Sequence, residues 1–300
     1  MTTRRPDVEA NGPNQPTMVV GLDGSTGSQV ALRWAIAHKD ELGVIQPVVG
    51  WKFPWWATAP PAPGGPVPPT RDFFSSEAQK LAKQETASIP ADDRLPAIVA
   101  GGHVGRTLCA AARPGDLIVV GSRGRGALVE TLTGSTGSYC AAHSLVPVVI
   151  VPESAHTAEA TTHIVVGVDG SANSIAALTW ALDHCPAGAT IEALHAYVPA
   201  APMFELAETY SDDFEKRAQA LLDEAVGVAV AAARQPVATE NLVSRIVLED
   251  PRTALTGTDA NMIVVGARGH RGVAHLLMGS VATALTHHVE TTTVIVPSGG

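Results

Sequence analysis

Lysine is scarce in this chain. Only five occur, at 39, 52, 80, 83 and 216, and none lies in either of its two glycine-rich loops. No G-x-x-x-x-G-K motif followed by Ser or Thr exists either. Phosphoryl transfer normally needs such a cation together with a metal and an oriented nucleophile, so efficient kinase or ATPase chemistry is not expected. Cysteine is also scarce. Cys109, Cys140 and Cys185 are scattered, with no C-x-x-C, which argues against a disulfide framework and a zinc site and fits a reducing compartment. All three read as buried and inert. The formal net charge is −9, so the phosphate backbone of a nucleic acid is not an expected partner. No run of 18 apolar residues occurs, so no membrane span is expected. Residues 1–16 are polar, contain Pro6, Pro13 and Pro16, and lack the apolar stretch of a signal peptide. They read as a disordered tail, and the expected location is the cytoplasm.

What the chain does have is a repeat. Gly121-Ser122-Arg123-Gly124, nine residues, then Gly134-Ser135 returns 145 residues later as Gly266-Ala267-Arg268-Gly269, nine residues, then Gly279-Ser280. Val-Val-Gly-Leu-Asp-Gly-Ser at 19–25 returns as Val-Val-Gly-Val-Asp-Gly-Ser at 165–171. The closing segments Val149-Ile150-Val151-Pro152 and Val294-Ile295-Val296-Pro297 also match. A unit of this size can bury its own core. The expected organisation is therefore a tail over 1–16, a first domain over 17–152, a polar linker over 153–162 and a second domain over 163–300.

Short apolar runs alternate with helical spacing in both copies. In the first, strands are expected from Met18 to Leu22, at 44–51, 97–100, 117–120 and 148–151, and helices at 26–42, 71–88, 105–113 and 135–144. Ser25 is the expected N-cap of the first helix. In the second, strands are expected at 163–168, 190–196, 242–248, 262–265 and 293–296, with helices at 171–184, 205–233, 251–257 and 280–288. Continuous apolar strands alternating with helices predict an α/β fold: two tandem copies of a five-stranded parallel sheet with helices on both faces.

In such sheets ligands bind beyond the carboxyl ends of the strands, where successive connections diverge. Gly121 and Gly266 follow the strongest strand of each copy. Glycine permits left-handed dihedrals and close approach of a ligand to the backbone, and successive amides there can form an anion-binding concavity. Gly134-Ser135-Thr136 and Gly279-Ser280-Val281 precede helices, whose N-termini suit phosphate. Arg123, Arg125, Arg268 and Arg271 supply positive charge. Gly21 with Asp23, and Gly167 with Asp169, end the first strand of each copy and face the same crevice. A carboxylate beside phosphates needs a ribose hydroxyl or a base edge as partner, or in second place a bridging divalent cation such as magnesium.

With these residues in view, the chain resembles the ATP-binding branch of the universal stress protein family. Gly-x2-Gly-x9-Gly-Ser is that branch's nucleotide-binding pattern, and it is complete in both copies. The Val-Gly-x-Asp-Gly-Ser strand end and the closing Val-x-Val-Pro strand also look like that family. The resemblance covers nearly the whole chain in tandem form. It implies the adenine nucleotide alpha-hydrolase-like fold, ATP bound without obvious chemistry, pairing of units through their last strands, and a role in stress or slow-growth physiology. It also implies adenine contacts near the end of the second strand, at Trp51 and Ala196. His195 matches the family's usual His before that position, where the first copy has Gly50. The family's Pro opening the third helix appears as Pro251, where the first copy has Val104-Gly105. The Pro before the last strand appears as Pro147, with Thr292 in the second copy.

Plainer readings stand beside these. A glycine after a strand is often only a turn, Asp23 and Asp169 could serve helix caps, and the loop arginines could be solvated. Trp34 and Trp180 read as core. Trp55 and Trp56 lie in a loop with seven prolines over 54–69 and could cover a ligand or pack on themselves. His287-His288 at a helix end reads as dipole complementation. The leading functional expectation is a nucleotide-dependent regulator with one ATP per domain, an internal pseudo-dimer that could assemble further. The alternatives are a weak metal-dependent ATPase and a cyclic AMP-binding protein. A dinucleotide enzyme fits poorly, because Gly21-x-x-Gly24-x-x-Gly27 has the wrong spacing.

Overall fold

The computed structural model describes residues 16–51, 53, 69–123, 135–155, 161–198, 204–236, 239–269, 278–287 and 289–297. The side chains of 204–211 and 239 are not described. Gly124, Arg125, Gly134, Arg271, Trp55, Trp56 and His288 lie outside the described residues.

The first copy runs β1 (Thr17–Leu22), α1 (Thr26–Ala37), α2 (Lys39–Leu42), β2 (Val44–Trp51), α3 (Arg71–Glu85), β3 (Ile98–Gly101), α4 (Val104–Ala111), β4 (Leu117–Gly121), α5 (Ser135–His143) and β5 (Val148–Val151). The second runs β6 (His163–Gly167), α6 (Ala172–His184), β7 (Thr190–Ala196), α7 (Phe204–Ala232), β8 (Leu242–Val247), α8 (Pro251–Thr256), β9 (Met262–Gly266), α9 (Ser280–His287) and β10 (Thr292–Val296).

All ten strands form one sheet in the order β3-β2-β1-β4-β5-β10-β9-β6-β7-β8. Within each copy every pairing is parallel. The copies meet at β5 and β10, which pair antiparallel with Val149 opposite Val294. The reason is visible in the strand sequences. β5 is a continuous apolar run, β10 becomes one after Thr292 and Thr293, and both are buried along their whole length. An uncovered edge of that kind would leave unpaired backbone groups and apolar side chains in water, and joining the two edges removes both.

Alternate residues of each central strand enter opposite cores. Met18, Val20 and Leu22 pack with α1, α3, α6 and α7, while Val19, Ile118 and Ile150 pack with α4, α5, α8 and α9. Both apolar layers cross the β5–β10 seam.

The expected helix over 26–42 is two helices. His38 closes α1: its Nδ1 lies 2.8 Å from the Trp34 carbonyl and its ring stacks on Trp34 at 4.2 Å. With the ring bonded to that last-turn carbonyl, His38 leaves helical geometry (φ −109°, ψ 12°) and α2 starts afresh. Trp34 is buried, as expected, and Trp180 packs against the same core.

Candidate functional site

Each half-sheet contains one point where successive connections diverge. From β1 the chain builds outward to β2 and β3, then returns to lay β4 on the opposite side of β1. From β6 it does the same with β7, β8 and β9. The carboxyl ends of β1 with β4, and of β6 with β9, therefore border a crevice.

The entrance to each crevice is built the same way. In Asp23-Gly24-Ser25 and Asp169-Gly170-Ser171 the glycine has positive φ, 73° and 80°, which side chains rarely tolerate. Ser25 and Ser171 are the N-caps of α1 and α6, accepting from Ser28 N and Ser174 N at 3.2 Å. The aspartates brace these caps. Asp23 Oδ1 accepts from Ser25 N at 3.0 Å, and Asp169 Oδ1 accepts from Ser171 N at 3.0 Å and Ser171 Oγ at 2.6 Å. Part of their role is thus structural. The other oxygen of Asp169 faces the glycine loop: a Cβ on Gly269 would stand 2.5 Å from Asp169 Oδ2.

In the second copy the predicted residues converge. Gly167, Asp169, Ala196, Gly266, Arg268, Gly269, Gly279, Ser280 and Val281 line one cavity of about 630 Å³. Ala267 does not. It is buried, its N–H donates to Val296 O at 2.7 Å, and its carbonyl accepts from Gly279 N at 2.8 Å. That last bond closes the glycine loop onto the N-terminus of α9. His195 also lines the cavity, with Nδ1 2.7 Å from the Val168 carbonyl. A carbonyl only accepts, so Nδ1 carries the proton and Nε2 is left as the ring's acceptor when the imidazole is neutral.

Two charged wall residues were not singled out from the sequence, Asp250 and Arg252. Asp250 caps α8, accepting from Arg252 N at 3.0 Å, and its carboxylate also takes Arg252 Nε at 3.0 Å and Nη2 at 3.2 Å. These bonds hold the Asp250 carboxyl below the usual carboxylate range. The Asp-Pro pair was legible as a helix start. That this start faces the crevice depends on β8 lying beside β7.

The first copy places its residues differently. Gly21 and Gly167 are matched: a Cβ on either would come 3.1 Å from the first leucine inside the neighbouring helix, Leu108 or Leu255. Ser122 repeats the role of Ala267, buried and donating to Val151 O at 2.8 Å. Ser135 and Thr136 open α5, and Arg123 is exposed. The ring of Trp51 lies over Gly101, where a Cβ would be 2.9 Å from Trp51 Cζ2. The space above Gly50 is taken by Val104, whose methyl groups a Cβ on Gly50 would overlap.

Left-handed dihedrals do not explain the described loop glycines. Gly121, Gly266, Gly269 and Gly279 are not among the positive-φ residues. Lack of space explains two of them. A Cβ on Gly121 would overlap the Gly27 backbone, and one on Gly266 would approach Asn173 to 2.8 Å. These glycines let the start of α1 or α6 lie directly against the strand end, so packing accounts for them even without a ligand. Among the described residues no group of three His, Cys, Asp or Glu is placed to hold a metal ion, and no helix is long and apolar enough to cross a membrane.

A doubled α/β sheet whose strands close on Gly121 and Gly266 at the two divergence points defines a tandem α/β protein. The universal stress protein family matches residues 16–152 and again 160–297, and the chain belongs to that family. Among curated relatives, a universal stress protein of Mycobacterium tuberculosis strain H37Rv is 29% identical, covering 94% of this chain and 97% of its own. One from Mycolicibacterium smegmatis is 27% identical, covering 93% and 96%. Among solved structures, a universal stress protein from Archaeoglobus fulgidus aligns with a TM-score of 0.60 at 16% identity, over 95% of this chain and 98% of its own. That likeness concerns the fold.

Proposed function

We propose that this chain is a cytoplasmic, nucleotide-dependent regulator that binds ATP, with the second copy as its principal site. The observation that carries the reading is the convergence of the glycine loop, the α9 N-terminus, Asp169 and the end of β7 on one cavity. Its volume of about 630 Å³ lies in the range of small-molecule sites, about 300–1,000 Å³. Phosphates would lie against the amides of Gly269 and of the first turn of α9, where the helix dipole favours negative charge. Arg268 lines the same cavity and can neutralise further charge, while Arg252 beside it is paired with Asp250. The base would reach Ala196 and His195 at the other end. Asp169, braced by Ser171, stands where a ribose hydroxyl or a magnesium ion would meet its carboxylate.

Isothermal titration of the full chain with ATP, with and without magnesium, tests this. One to two nucleotides per chain is the expected stoichiometry, and mass analysis of small molecules released from the purified protein should find an adenine nucleotide. No binding in either experiment overturns the reading. Competition with cyclic AMP decides which adenylate is preferred. The position of Asp169 Oδ2 beside Gly269 also favours a second reading, slow metal-dependent hydrolysis. Phosphate release that needs a divalent cation and vanishes in Asp169→Ala would establish it.

A further inference from the structure

We infer that Cys109 and Cys140 form a peroxide-sensitive dithiol, a site of reversible disulfide formation confined to the first copy. The two residues lie on α4 and α5, which pack on the same face of the sheet in one apolar cluster. The helices approach closely because α4 carries Gly105 at the crossing, where a Cβ would come 2.6 Å from the Tyr139 ring. There Cys140 Sγ donates to the Gly105 carbonyl at 3.8 Å. In α4 that carbonyl lies one turn before Cys109 and is the helical acceptor for its amide. The Cys140 sulfur therefore stands beside the base of Cys109.

The pair is asymmetric in the way sequential oxidation requires. Cys140 is fully buried, while Cys109 is partly exposed. The neighbouring Cys140 draws the Cys109 thiol below its ordinary range, while the proximity of Cys109 and then burial push Cys140 up. Cys109, the partly exposed sulfur, is the one a peroxide can reach and attack as thiolate, the form that reacts, and Cys140 is the resolving thiol. The oxidant is a hydroperoxide. The Cys109 thiolate attacks one peroxide oxygen, the O–O bond breaks, and the departing alkoxide takes up a proton. Cys140 sulfur then attacks the sulfenic sulfur. The S–S bond forms, the S–O bond breaks, and hydroxide leaves as water with the Cys140 proton. Two thiols lose two electrons and two protons, and the peroxide becomes an alcohol and water.

The bond would tie α5, which opens at Ser135, to α4, which opens at the Val104 that fills the space over Gly50. The second copy carries Thr256 and Leu285 at the corresponding positions, so it cannot form this link. Cys185 is the internal control. Its thiol donates to the carbonyls of Pro186 and Ala189 at 3.5 and 3.7 Å, and burial pushes it up.

The test treats the reduced full-length chain with hydrogen peroxide under native conditions, blocks remaining thiols with N-ethylmaleimide after denaturation, and maps the peptides. The expected result is a Cys109–Cys140 cross-link with Cys185 blocked, reversed by dithiothreitol. Cys109→Ser, a partly exposed change, should leave Cys140 fully blocked. Three blocked cysteines, Cys109 as sulfinic acid with Cys140 blocked, or a cross-link between chains would each overturn the inference. So would oxidation of Cys140 in the Cys109→Ser variant.

Discussion

The two halves of this molecule share a chain trace and differ in what stands at the end of their second strands. β2 of the first copy ends on Gly50, covered by Val104, and Trp51, folded over Gly101. β7 of the second ends on His195, turned onto the Val168 carbonyl, and Ala196. Pro251 replaces Val104, and a cavity opens beneath. The backbone framework is kept to fine detail. Asp116 ties β1 to β4 by accepting from Thr17 N at 3.0 Å, and Asn261 does the same for β6 and β9 by accepting from His163 N at 2.9 Å. Duplication thus preserved the scaffold and its caps, while a few side chains above the strand ends set the room available to a ligand.

The largest effects expected from breaking the comparison fall where the copies are the same. Ile150→Ala and Ile295→Ala each empty a fully buried position on either side of the seam. Each should cost about 2–5 kcal/mol. Because both cores cross the seam, urea unfolding should show one transition that shifts similarly in either variant. Two separate transitions would mean that the copies are independent. Next is Gly50→Ala. Its new methyl group must displace Val104, which should lower stability by about 1–3 kcal/mol, and adding Val104→Ala should recover part of the loss in the same thermal assay.

Ligand binding should separate the copies. Gly269→Ala forces Asp169 aside, and titration calorimetry should find ATP affinity at the second copy lower by about tenfold, roughly 1.4 kcal/mol, with the melting temperature little changed. Ser171→Ala removes the α6 cap and the 2.6 Å bond that orients Asp169. It should cost about 1 kcal/mol of stability.

The smallest effect concerns His184, which stacks on Trp180 as His38 does on Trp34. Burial lowers its pKa below the ordinary histidine value. The unfolded chain then binds the extra proton first, so stability falls as pH drops through and below about 6.5. Melting curves between neutral and mildly acidic pH should show that decline, and His184→Gln should flatten it.

Much of the fold was legible because buried parallel strands are written as short apolar runs. β2, β5 and β7 lie where the sequence reading placed them, and Ser25 caps α1 as expected. The break at His38 was not legible, since it arises from a ring bonding to a carbonyl of its own helix. For the site, the glycine loop, Asp169 and the α9 start were readable from spacing. Asp250 and Arg252 were not, because 54 residues separate Asp250 from Ala196 along the chain and only the pairing of β7 with β8 brings them together. The cysteines read as buried, but only Cys140 is fully so, and its sulfur comes beside the base of Cys109 because Gly105 lets α4 and α5 approach.

The repeat by itself determined that this chain makes the same α/β unit twice, since periodic burial and turn chemistry are local properties that any copy of the pattern must obey. That the second unit keeps an open cavity at its strand ends, and that Cys140 stands beside the base of Cys109, was decided only by tertiary structure. Space and contact depend on the volumes of side chains arriving from distant segments, and no spacing along the chain records that.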